Sequence, residues 1–171
     1  MKRSFDLEGI RLATFQARLC ASSLYRSNAS SPIFLRRLFK SNYLLRMDEG
    51  NTATLSLDEE EAFREIENQY GDKAYGRIRY PEDALYWIGW FYRYIAYTRG
   101  IPSRLVYRLI KPEYLLSVYP IYHTQDEEWV FSRVLDVLGL TENDFDINER
   151  YKAIVFDRIE SPKLVCPKVD K

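Results

Sequence analysis

The chain has 171 residues, 46% hydrophobic and 29% charged, with 25 basic groups balanced by 25 acidic ones. That length suits one domain with a sizeable core, and the composition excludes intrinsic disorder. Zero net charge excludes a global field that draws the protein to nucleic acid or anionic lipid, and two isolated cysteines, Cys20 and Cys166, exclude a disulfide framework or a zinc site.

The opening "MKRSFDLEGIRL" has positive charge but no continuous apolar run, so no signal peptide is expected. The first predicted helix covers 6–25, with Leu7, Ile10, Leu12, Phe15, Leu19 and Leu24 supplying its apolar faces. "SNASSP" breaks it. Ser31 then reads as an N-cap with Pro32 at the first helical position, and "IFLRRLFKSNYLLRM" continues as one helix. Its buried stripe is Phe34, Leu35, Leu38, Phe39 and Leu45.

"DEGNTATLS" is a loop, after which Ser56 and Glu59 form a capping box, S-x-x-E, opening an acidic helix that closes near Tyr70 and Gly71. "GDKAYG" is a second loop, and "RIRYP" leads into a central helix over 81–99 that Gly100 ends. Short helices follow Pro102 and begin at Pro112. Thr124 and Glu127 form another capping box, opening a helix that stops at Gly139. "TENDFDINERYKAIVFDRIE" predicts a final helix after a turn, although "YKAIVF" also fits a strand. The tail, 161–171, holds two prolines and three lysines and is expected to be loose. The most aromatic run, 84–98, contains Arg93 and falls short of the ~20 residues a membrane span needs.

The expected fold is therefore all-α: a single-domain helical bundle over 1–160, of about six to seven helices around the central aromatic helix. The stretch "YWIGWFYRYIAYTRGIPSRLVYRLI", 86–110, concentrates its chemistry. At about 100° per residue Leu85, Ile88, Phe91, Tyr92 and Ile95 share one face. Trp87, Trp90, Tyr94 and Tyr97 lie opposite, with Arg93 beside them. A helix apolar on nearly all sides is usually the core of its domain. An exposed aromatic edge would instead anchor a partner protein or stack unpaired bases.

A second motif overlaps the first. Ala96, Gly100 and Val106 have helix-turn-helix spacing, which would turn Ser103, Arg104, Tyr107 and Arg108 toward a major groove with Lys111 on phosphate. Arg99 stands where that motif wants an apolar residue, and Pro112 cuts the second helix short. Charge alternates along the chain: nine basic against four acidic groups over 1–50, and seven against two over 77–111. That pattern fits either helices that pair by charge or one basic and one acidic face.

Catalysis finds little support. The lone histidine, His123, precedes a helix cap and is expected to bond locally; no G-x-S-x-G elbow, phosphate loop or Glu-x-x-His pair occurs. No catalytic, cofactor or metal residues are assigned.

"LYWIGWFYRYIAYTRGI" (85–101), followed by "PEYLLSVYPIYHTQDEEW" (112–129), resembles small helical proteins encoded in bacterial toxin–antitoxin and mobile-element loci. The resemblance implies a non-catalytic, cytoplasmic, antitoxin-like protein that neutralises a protein partner from the same locus, with DNA binding and homo-oligomerisation compatible with it. Trp87, Trp90, Tyr94 and Tyr97 are the expected anchors, with Arg93 and Arg104 as charged contacts. The alternative is a helix-turn-helix regulator.

Overall fold

The structure, a computed structural model, describes residues 2–49 and 57–145. Among these are eight α-helices and no strand: α1 Leu7–Arg26, α2 Ser31–Lys40, α3 Asn42–Asp48, α4 Glu59–Tyr70, α5 Glu82–Arg99, α6 Ser103–Leu109, α7 Pro112–Tyr122 and α8 Glu127–Leu138. A 3-10 turn, Glu142–Phe145, follows. Most of the expected final helix, the loose tail, Cys166 and the Ser56 cap lie outside the described residues. No helix among the described residues is long and apolar enough to cross a membrane.

The central pair is α1 and α5. Gln16 Nε2 donates to the Gly89 carbonyl at 2.9 Å, Arg3 N–H to the Thr98 carbonyl at 2.7 Å and Tyr25 to Glu82 at 2.7 Å, so the two helices run antiparallel. Ala13, Ala17 and Ala21 recur every fourth residue on the face of α1 turned to α5, where small side chains let the helix backbones close up. Gly89 answers them from α5: a Cβ there would sit 2.9 Å from Ala17 Cα and from the Gln16 carbonyl oxygen. Around this pair the core fills with Phe34, Phe39, Phe91, Tyr92 and Phe131, all fully buried. The Tyr92 hydroxyl donates to the Ile110 carbonyl at 2.7 Å, so its polar tip is satisfied inside.

The helix expected to run unbroken from Pro32 is two helices. Ser41 is the cause: its Oγ donates to the Leu38 carbonyl at 2.7 Å and accepts from Leu44 N–H at 3.1 Å, closing α2 and capping α3. The break resets the register. Leu45, expected in the buried stripe, is 45% exposed, while Tyr43, Leu44 and Met47 turn inward. The start of α2 also moves by one residue. Ser30 is the N-cap, and Ser31 Oγ accepts from Tyr80 N–H at 2.9 Å, fastening the extended segment 71–80 across the head of α2.

The caps of α4 and α8 differ from the expected ones as well. Asp126, not Thr124, caps α8, one carboxylate oxygen accepting from both Glu128 and Trp129 N–H at 3.0 Å. Asp58 does the same for α4 through Glu60 N–H at 2.8 Å. Gly100 and Gly139 end α5 and α8 as expected, each in the left-handed conformation that only glycine adopts without strain.

Glu128, on α8, receives Arg99 at 2.7 and 2.9 Å, Lys2 at 2.6 Å and Tyr94 at 3.0 Å. The Arg99 hydrogen bonds above all, with help from Lys2, hold its carboxyl down to about 2. An unfolded glutamate titrates near ~4.3. The stabilisation is therefore complete above that value and is lost as pH falls through the folded one. Urea unfolding across that acid range is expected to show a loss of stability that Glu128→Gln removes; an unchanged acid slope in the variant would dismiss the link.

Candidate functional site

Three of the six residues expected to contact a partner are used inside the fold. Arg93 is 3% exposed, its guanidinium donating to Gln16 Oε1 at 2.7 and 2.9 Å and pairing with Asp48 at 2.8 Å. Asp48 in turn accepts from Ser103 N–H and Oγ, both at 2.8 Å. Tyr94 donates to Glu128, and Tyr97 donates to the Asp6 carboxylate that also caps α1. Burial pushes both phenols up to about 12. The physical reason is crowding: α1, α6, α7 and α8 all pack on α5, leaving little of its circumference open.

Trp87 and Trp90 sit partly buried at the seams. The Trp87 ring stacks on Phe91 at 5.4 Å and meets Tyr119 of α7 at 5.7 Å. Trp90 Nε1 donates to Glu127 of α8 at 3.0 Å, and its ring takes Phe5 edge-on at 5.8 Å. The aromatic character expected along α5 thus continues outward onto α7 and α8. There, Tyr119 meets His123 at a tilt, 4.6 Å between ring centres, and Tyr122 meets Trp129 edge-to-face at 5.6 Å. Ile121 is 69% exposed and Trp129 45%, with the Arg133 guanidinium 6.0 Å from the Trp129 ring. Trp129 with Tyr122 and Arg133 beside it has the composition of a protein-docking hot spot, and Ile121 adds an exposed aliphatic side chain on α7. Sequence reasoning named neither Ile121 nor Trp129. The signal for them is their position on helices that cover α5, and that is visible only once the helices are placed.

The α5–turn–α6 unit places Ala96 and Val106 in the core and Gly100 at the turn, as helix-turn-helix spacing requires. Its predicted readers are dispersed. Ser103 is fully buried on Asp48, and Tyr107 stacks on Phe39 at 5.1 Å, so both serve packing. Arg104 and Arg108 are exposed on α6, a helix of two turns, and Lys111 is exposed at the N-cap of α7.

His123 Nδ1 lies 2.8 Å from the Tyr119 carbonyl, the local bond expected of it. Cys20 is buried against α5, and burial pushes its thiol up, so it stays protonated. Among the described residues, no three His, Cys, Asp or Glu side chains stand where they could hold a metal ion. No family model, no curated protein and no solved structure matches the chain.

Proposed function

We propose that this chain is a non-catalytic binding protein that docks a partner protein on the aromatic surface of α7 and α8, as an antitoxin-like neutraliser of a neighbouring gene's product. One observation carries the reading: Ile121 and Trp129 stay exposed above a core that is already closed beneath them. Large apolar side chains left in water next to the aromatic contacts of α7 and α8 are what an interface offers a partner. The two stretches that carry the resemblance, 85–101 and 112–129, are the ones that meet here, in α5, α7 and the head of α8. The same reading puts the protein in the bacterial cytoplasm, beside the product it neutralises.

The test is co-expression with the neighbouring gene's product, followed by titration calorimetry of the purified pair. Trp129→Ala is expected to weaken the complex by about 30-fold, the effect of losing a ~2 kcal/mol hot spot, with the melting temperature of the free protein unchanged. Undiminished binding removes the surface from the interface. A large fall in melting temperature returns Trp129 to the core.

A further inference from the structure

The outer face of α2 carries Arg36, Arg37 and Lys40, and it borders a cleft of about 320 Å³ lined by these three with Ile33, Tyr70 and Tyr75. That volume is at the low end of the ~300–1,000 Å³ typical of ligand pockets. Lys40 also lines a smaller adjoining cleft, where Arg104 of α6 joins it. The two clefts form one basic track from the segment 71–80 across the end of α2 to α6.

These cations differ from those that are used up inside the fold. Arg18, Arg26, Arg46, Arg93 and Arg99 each pair with an acidic side chain. Arg36, Lys40 and Arg104 pair with none among the described residues. Among the described residues that line the track the carboxylate is Asp48, and it is already taken by Arg93 and Ser103. Arg37 is held in place by the Gly71 and Lys73 carbonyls at 3.2 and 3.4 Å. Tyr75 is 52% exposed, with the Arg37 guanidinium 5.8 Å from its ring centre.

We infer that this track binds single-stranded nucleic acid, with phosphates on Arg36, Lys40 and Arg104 and a base stacked on Tyr75. Unpaired cations in a row suit a polyanion, and a ring beside them suits a base whose face is open. A duplex offers no such face, and the concave cleft does not match the convex backbone of one. An acidic peptide would use the cations and leave Tyr75 idle. The site is separate from the α7–α8 surface and stands whether or not that surface binds a protein.

The experiment is fluorescence anisotropy of the full chain with a labelled single strand of about 12 nucleotides, titrated at several salt concentrations. Three phosphate contacts predict a log–log salt slope of about −2, so affinity falls roughly 20-fold from about 50 to about 200 mM salt. Lys40→Ala with Arg104→Ala is expected to flatten the slope to about −0.7, and Tyr75→Ala to weaken binding about tenfold or more. These side chains line the open rims, so unchanged melting curves are expected to accompany both effects. Absence of binding at about 50 mM salt overturns the inference. So does a duplex that binds as tightly with Tyr75→Ala silent, or polyglutamate that displaces the strand at equal charge.

Discussion

Asp48→Ala is expected to lower the unfolding free energy by about 3–5 kcal/mol, more than any surface substitution in this protein. The change leaves the Arg93 guanidinium, 3% exposed, without its counter-charge, and it strips Ser103 N–H and Oγ of their acceptor at the start of α6. Three elements meet at this one carboxylate, α3 through Asp48 itself, α5 through Arg93 and α6 through Ser103, and α1 joins at one remove because Gln16 accepts from Arg93. Removing the pair together separates the value of the ion pair from the penalty of orphaning its partner. Arg93→Met with Asp48→Leu is expected to lose much less than Asp48→Ala alone, because no buried charge is then left behind. Urea denaturation of the three proteins measures this. A loss below about 1 kcal/mol in Asp48→Ala would show that Arg93 finds water or another acceptor. Partner binding by the double variant is expected to match the parent, since Arg93 faces inward.

Gly89→Ala is the second large effect, and its sign runs against helix propensity. Alanine is better than glycine in a helix by about 1 kcal/mol. Here the added methyl would lie 2.8 Å from Cys20 Sγ and 2.9 Å from backbone atoms of Ala17 and Gln16. Backbone cannot rotate aside as a side-chain tip can, so the overpacking falls near the top of the usual range, about 3 kcal/mol. The net expectation is a loss of about 2 kcal/mol, with Gly89→Leu worse again. Thermal unfolding checks it; a variant as stable as the parent would mean that α1 and α5 can move apart freely.

What the sequence disclosed follows the range of each signal. Gly100, Gly139 and the prolines that open α5, α6 and α7 act locally, and those helices lie within a residue or two of their expected bounds. The cap of α8 slipped by two residues because Thr124-x-x-Glu127 also contains Asp126, whose carboxylate reaches two N–H groups at once. Ser41 was illegible because one hydroxyl inside an apolar repeat looks like a solvated position. Arg93 was misplaced for a different reason. Its partners, Asp48 and Gln16, are 45 and 77 residues away, and periodicity says which face a residue shares but not what lies across from it. The exposure of Trp129 and the convergence of Lys40 with Arg104 are likewise properties of packing between helices.

The antiparallel union of α1 and α5 also has a consequence in time. The small-residue stripe of α1 is complete once Arg26 has been made, but its mate is not finished until Arg99. At ~5–20 residues per second, ribosomes need roughly 4–15 s to cover that interval. For those seconds Ala13, Ala17 and Ala21 have no α5 to rest on, and the newborn helix depends on α2 to α4, or on a chaperone, to keep its apolar side out of trouble. Whatever this protein binds when mature, its own first helix spends its earliest moments as a client.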